Sequence, residues 1–255
     1  MSRVPILPKL DRWPMCPAGA PVRDGVDLRF AGRIAVLVAA LMAVPPSAPA
    51  DAGEQSAQSA VNMMRIDFES DVISAAPRAF TAALTGDGGP VRWVIVEDAS
   101  APAGPKVLAE QSADKTRDRF PIAILNDFSA RNVEISVRFK PVSGTVDQAA
   151  GLMVRVIDPN NYYVVRANAL EDNVRLYRVV NGRRVQFAGV DVKVPSSIWQ
   201  ELAMRIEGER ITVSLNGKAL FTATDRTFGE AGRVGLWTKA DSVTHFDEVR
   251  VAALP

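Results

Sequence analysis

The chain predicts an all-β fold, a two-sheet antiparallel jelly-roll β-sandwich, and three features of the sequence predict it. Between Arg131 and Val251, short segments alternate apolar and polar residues with period two, as strands do when they bury one face. Two Asn-Gly pairs, Asn181-Gly182 and Asn216-Gly217, stand between such segments. Asn-Gly supplies the two residues tolerant of positive φ that the favoured two-residue hairpin turn requires. Turn signals recur roughly every ten residues with no long amphipathic helix between them, the spacing of a sandwich rather than of a βα array.

Taken in order, the first strand is expected at Arg65–Glu69, with Phe68 turned inward between Asp67 and Glu69. Pro77–Pro90 reads as a loop, closing on Gly86-Asp87-Gly88-Gly89-Pro90. Val91–Val96 is apolar on nearly every position and suits a strand buried on both sides; after a turn at Ala99–Pro105, Lys106–Glu110 returns. The alternation is clearest in Asn132–Lys140, where Val133, Ile135, Val137 and Phe139 share a face. It recurs in Gly151–Ile157, Tyr162–Ala169, Asn173–Val180, Arg210–Leu215 and Arg233–Trp237. Asp158-Pro159-Asn160-Asn161, Glu171-Asp172-Asn173 and Glu207-Gly208-Glu209 supply further corners.

The N-terminal part has a different character. Arg29 and Arg33 precede the apolar stretch Ile34–Val44, which Pro45-Pro46 and Ala48-Pro49-Ala50 follow. A basic flank, a short apolar run and an A-x-A site describe a secretory signal peptide cleaved after Ala50, and predict a periplasmic or extracellular protein. The run is shorter than the roughly 20 residues a spanning helix needs, so no membrane span is expected after cleavage. Met1–Gly25 carries Pro5, Pro8, Pro14 and Pro17 and no apolar periodicity, so translation is expected to begin further in, near Val26. Residues 1–50 are thus read as upstream extension and signal, 51–64 as a polar linker, and 65–252 as a single β-sandwich domain.

Six of the 30 basic residues and three of the 29 acidic ones precede Asp51, which leaves the mature chain with a net charge near −2. That balance offers no footprint for nucleic acid, which calls for a strong positive excess. Cys16 departs with the signal, so disulfides, thiolate metal sites and a Cys nucleophile are excluded from the mature chain.

One sheet face collects residues suited to sugars. The alternation turns Leu152, Val154 and Val156 inward and Met153 and Arg155 outward. Tyr163, Val165 and Ala167 point in, leaving Tyr162, Arg166 and Asn168 outward; Arg175 and Tyr177 lie opposite Val174 and Leu176. With Trp237 and Lys239, these make a candidate carbohydrate-binding face of Arg155, Tyr162, Arg166, Asn168, Arg175, Tyr177, Trp237 and Lys239. Flat aromatic rings cover sugar C–H surfaces, and Arg and Asn donate to hydroxyls or carboxylates. The same residues would be ordinary outward strand positions if this face were convex, and periodicity does not distinguish the two.

Two stretches carry a family resemblance. Gln148-Ala149-Ala150-Gly151-Leu152 with Asp158–Asn173, and Ala231–Ser242 with its Gly232-Arg233-Val234-Gly235-Leu236-Trp237 core followed by Phe246-Asp247-Glu248-Val249, resemble the concanavalin A-like lectin/glucanase superfamily. Within it they are most similar to LamG-like domains of the 3-keto-disaccharide hydrolase-like group. The resemblance spans about Arg65–Val251 and implies the two-sheet jelly roll; it leaves activity open, since this superfold hosts lectins, hydrolases and adhesive modules alike.

What the resemblance implies for chemistry is mixed. A family 16 glucanase needs Glu-x-Asp-x-x-Glu on one strand, and no such run exists; Glu97-Asp98, Glu171-Asp172 and Asp247-Glu248 are adjacent pairs that point to opposite faces. A 3-keto-disaccharide hydrolase needs only a general base beside an acidified C–H, for which Glu171, Asp241, His245 and Asp247 are the candidates. His245 is the only histidine, which excludes a His-rich metal centre. In LamG-like folds the first and last strands lie side by side, which would bring Asp247 to Asp67 and Glu69 as a structural Ca²⁺ site of hard oxygen ligands. Three readings remain open: an exported lectin-like module, a hydrolase of 3-keto-disaccharides, and an envelope scaffold or adhesion domain.

Overall fold

The described residues form two sheets, one of eight strands and one of seven. The computed structural model describes residues 63–255, so the expected signal segment and residues 51–62 lie outside the described residues. The first sheet is built from β1 (Met63–Ile66), β3 (Trp93–Glu97), β4 (Lys106–Glu110), β6 (Val133–Ser143), β11 (Gln200–Glu207), β12 (Arg210–Leu215), β13 (Lys218–Thr224) and β15 (Val243–Ala253). The second comprises β2 (Phe80–Gly86), β5 (Arg119–Leu125), β7 (Ala149–Asp158), β8 (Asn161–Asn168), β9 (Asn173–Val180), β10 (Arg183–Asp191) and β14 (Arg233–Trp237). The order in the first sheet is β13-β12-β11-β6-β15-β4-β3, with β1 also paired to β15, and in the second β10-β9-β8-β7-β14-β5-β2. All pairings of these strands are antiparallel, and no helix occurs among the described residues. The two-sheet jelly-roll sandwich is therefore observed.

The main core lies between the sheets. Val133, Ile135, Val137 and Phe139 of β6 are fully buried there, with Leu152 and Val154 of β7, Tyr163, Val165 and Ala167 of β8, and Leu202, Met204 and Ile206 of β11. Both Asn-Gly pairs close hairpins with positive φ at each residue, 50° and 77° at Asn181 and Gly182, 51° and 74° at Asn216 and Gly217. That is the geometry whose twist matches the flanking strands.

Four expectations need correction. The first strand spans Met63–Ile66, so the linker ends earlier than residue 64; Phe68 is buried as expected, but from a left-handed turn residue at φ 61° beyond the strand. The stretch read as a loop at 77–90 contains β2, whose Thr-Ala-Ala-Leu-Thr interior has little apolar alternation. β5 and β11 go beyond the expected strands; β5 is an apolar run buried on both faces but interrupted by Pro121, whereas β11 alternates Leu202, Met204 and Ile206 with period two. Finally, the alternation of β7 breaks at Arg155, where φ is 49° and the pairings to β8 and β14 both shift register. This is a β-bulge, and it sends Val156 to the outer face rather than into the core.

Candidate functional site

The outer face of the seven-stranded sheet, away from the main core, carries a second apolar cluster. Phe120, Ile122 and Ile124 of β5, Met153 and Val156 of β7, Tyr162 and Val164 of β8, Tyr177 and Val179 of β9, and Trp237 of β14 are all buried there. The strand registers lay these side chains in rungs: Ile122, Trp237, Gly151, Arg166 and Arg175 are successive neighbours, as are Ile124, Gly235, Met153, Val164 and Tyr177. Most of the expected binding residues therefore do share a face, yet Tyr162 and Trp237 are fully buried in it and Tyr177 is only 7% exposed.

The sheet reaches this burial by curling toward its outer face. Thr85 on edge strand β2 and Tyr162 on β8 meet hydroxyl to hydroxyl at 2.9 Å, although β5, β14 and β7 lie between their strands. Four strand spacings on a flat sheet amount to roughly 19 Å, far beyond the reach of the two side chains. Thr85 also donates to the carbonyl of Pro159 in the β7–β8 turn. The ends of β2 and β5 are thereby brought against the β7–β8 and β9–β10 turns.

Arg184 of β10 crosses the face near this closure. Its guanidinium carbon lies 4.6 Å from the Phe120 ring centroid, 4.5 Å from Tyr177 and 5.6 Å from Trp237. Phe120 and Trp237 are themselves stacked at 5.3 Å and 17°. Beside it a cavity of about 370 Å³ is lined by Gly86, Asp87, Asp118, Phe120, Gly182, Arg183 and Arg184. An apolar ring and a few convergent charged and backbone groups are what a small polar ligand site requires. None of the cavity-lining residues belongs to the expected binding face; the sequence signal for them is Arg183-Arg184 directly after an Asn-Gly turn.

The remaining expected residues support the face. Arg166, 3% exposed, donates from Nη2 to Glu171 and Asn173, both at 2.7 Å, and its guanidinium lies 5.7 Å from the Tyr177 ring. Burial would raise the Glu171 pKa, but the Asn173 hydrogen bond and the Arg166 charge outweigh it and lower the carboxyl. Asn168 bonds Asp147 at 2.7 Å and caps the amides of Leu170 and Glu171; Lys239 pairs with the other Asp147 oxygen. Arg175 pairs with Asp191 at the sheet margin. Burial pushes the Tyr162 phenol up to about 12. Inside the face, Arg166 Nε, Arg184 Nη1 and Trp237 Nε1 are buried without a hydrogen-bond acceptor in the protein.

Arg155 does not belong to this set. The bulge turns it to the end of the sandwich, where it is 1% exposed and donates to the carbonyls of Arg131, Gly208 and Phe228. It ties loops together and reaches no ligand surface.

Asp67, Glu69 and Asp247, expected as a calcium site, are each engaged by groups of the protein itself. β1 pairs with β15, and across the left-handed turn at Phe68 the Glu69 amide donates to Asp67 Oδ1 at 3.3 Å. Asp67 pairs with Arg65 at 3.7 Å, Glu69 accepts from the Lys106 amide, and Asp247 accepts from the amides of Ala103 and Glu248. Among the described residues no group of three or more Asp, Glu, His or Cys side chains is arranged to hold a metal ion.

The four candidate bases are scattered. Asp241 accepts from the amides of Thr145, Val146 and Asp147, which outweigh its burial and lower its pKa. His245 sits 2.8 Å from Asp98 on the other sheet, with its pKa lowered by burial. Asp247 is pushed up to about 6, chiefly by burial.

Comparison with known proteins bears on the fold. No family model and no curated protein matches the chain. Among solved structures, the carbohydrate-binding module CBM66 from Bacillus subtilis is similar with a TM-score of 0.53 at 17% identity, covering 68% of this chain and 96% of that one. The Bacillus licheniformis β-glucanase gives 0.50 at 9% identity, covering 76% and 98%. The fold is a jelly-roll sandwich like that of these two proteins. Identities this low speak to the fold alone. Among the described residues no helix is long and apolar enough to cross a membrane.

Proposed function

We propose that this chain is an exported carbohydrate-binding β-sandwich module that holds its ligand at the mouth of the curled seven-stranded sheet. The observation that carries the reading is the cavity lined by Asp87, Asp118, Phe120, Arg183 and Arg184, placed where the outer face ceases to be filled by its own side chains. Aspartate carboxylates accept from sugar hydroxyls, arginines donate to ring and hydroxyl oxygens, and the Phe120 edge offers apolar surface to a sugar C–H. The CBM66 module from Bacillus subtilis shares this fold, which makes a binding role a natural one for it. Arg166, Asn168, Arg175, Tyr177 and Lys239 then act from behind, holding the curl that shapes the mouth.

Titration of the purified chain with a panel of oligosaccharides tests the reading. Saturable binding that Asp87→Asn with Asp118→Asn weakens at least tenfold, at unchanged melting temperature, supports it. Absence of saturable binding across the panel refutes it.

One observation favours a second reading, a hydrolase similar to the LamG-like proteins that act on 3-keto-disaccharides. Burial pushes the fully enclosed Asp247 carboxyl up to about 6, toward the range of a general base, whereas Glu171, Asp241 and His245 are all shifted down. Turnover of a 3-keto-glycoside that Asp247→Asn abolishes would favour it over the binding module.

A further inference from the structure

The geometry points to a ligand with a carboxylate, a uronic-acid residue, whose charge is met by Arg184 while its ring hydroxyls meet Asp87 and Asp118. This inference rests on the binding reading above and specifies the class of sugar.

Three of the basic side chains on this face are paired with carboxylates. Arg166 is matched by Glu171, Lys239 by Asp147 and Arg175 by Asp191. Arg184 has no carboxylate within ion-pair distance among the described residues, although it is largely enclosed by Phe120, Tyr177 and Trp237. Arg166 stands near enough to oppose its charge, and Asp147, itself held by Lys239, offsets part of that from beyond ion-pair distance. A guanidinium taken out of water without an anion is costly, and stacking on aromatic faces offsets only part of that cost. An arginine so placed has its rigid fork of donors ready for a planar carboxylate, with no second cation or metal needed.

The same cavity also carries Asp87 and Asp118, both exposed at its rim, and the exposed Arg183. Two carboxylates beside two arginines rule against a purely anionic ligand such as a small dianion, which the aspartates would repel. They suit a molecule that is charged at one end and hydroxylated at the other. A neutral sugar would satisfy the aspartates and leave Arg184 without a direct carboxylate partner; a uronic acid satisfies both. The enclosed position of Arg184 also strengthens the pairing, since little solvent remains to screen it.

The test uses the full purified chain and oligosaccharides of galacturonic, glucuronic and mannuronic acid, each as free acid and as methyl ester. At least one free acid is expected to bind ten or more times tighter than its ester. Arg184→Gln is expected to bring the acid down to the level of the ester, and Arg184→Lys to keep part of the preference. Equal affinity for acid and ester overturns the inference, as does an acid preference that survives in a folded Arg184→Gln protein. If that variant fails to fold, the acid-to-ester ratio of the native chain decides alone. Binding of neutral sugars with no preference for acids, lost in Asp87→Asn with Asp118→Asn, overturns the carboxylate but leaves the binding module standing. No binding of any glycan overturns both.

Discussion

Thr85 and Tyr162, separated by 77 residues and by three intervening strands, are joined hydroxyl to hydroxyl at 2.9 Å. Because the single Thr85 proton is given to the Pro159 carbonyl, Tyr162 is the donor of this bond. The pair marks where the seven-stranded sheet curls toward its own outer face. That curl converts a row of outward aromatic residues into a second core and leaves a cavity at its mouth.

Removing this bond is expected to loosen the curl. Tyr162→Phe should cost about 1 kcal/mol, the net worth of an ordinary buried hydrogen bond, and Tyr162→Ala about 3–5 kcal/mol, as truncation of a buried ring does. Urea denaturation of the three proteins measures both. A loss below about 1 kcal/mol for Tyr162→Ala would mean that the face is open to water.

Arg155 yields a contrasting expectation. It holds the carbonyls of Arg131, Gly208 and Phe228 from a buried position, so Arg155→Met leaves three acceptors without their donor. A destabilisation of more than about 3 kcal/mol is expected, since each bond to a charged group is worth ~1.5–3 kcal/mol. Denaturant midpoints decide it, and a near-neutral result would show that water replaces the guanidinium at no cost.

The success and failure of sequence reading on this chain have the same physical root. Period two is legible where a strand buries one face, and β6, β12 and β14 emerged with nearly correct bounds for that reason. The Asn-Gly hairpins were legible because few dipeptides tolerate two positive φ values. Tyr162, Arg166, Tyr177 and Trp237 were placed together on one face, yet their exposure was misjudged, because alternation assigns a side and says nothing about what the sheet does next. Tyr162-Tyr163-Val164-Val165 held a clue, since an unbroken apolar run belongs to a strand buried on both faces. The bulge at Arg155 and the cavity at Arg184 depend on local register and on curl, which no single segment encodes.

Gly151 gives a further check on the packed face. A Cβ there would stand 2.8 Å from the Val165 carbonyl oxygen and 3.1 Å from Trp237 Cε3. Gly151→Ala should therefore displace the indole, at a cost of about 1–3 kcal/mol typical of overpacking. Near-UV circular dichroism, which senses aromatic side chains in fixed surroundings, should change with it. An unaltered spectrum and melting temperature would contradict the packing of Trp237 over this glycine.

Asp247 sets a pH dependence of definite sign. Its folded-state pKa, about 6, lies above the ordinary carboxyl value of 3.8, so the folded chain binds this proton more tightly than the unfolded one. The group therefore subtracts stability as pH rises from about 4 to 6, by up to ~1.4 kcal/mol per unit. Asp98, Asp225 and Asp241, whose pKa values are lowered, act in the opposite sense and only as pH falls below about 4. Asp247→Asn should flatten the decline between pH 4 and 6. Parallel profiles for variant and parent in urea would remove Asp247 as its source.

The most direct measurement of the binding reading is the mapping of amide chemical-shift changes on the ¹⁵N-labelled chain during titration with a sugar that it binds. Perturbations that saturate together at Gly86, Asp87, Asp118, Phe120, Gly182, Arg183 and Arg184 are the predicted result. Saturating changes confined to the eight-stranded sheet, with these amides unmoved, would contradict it.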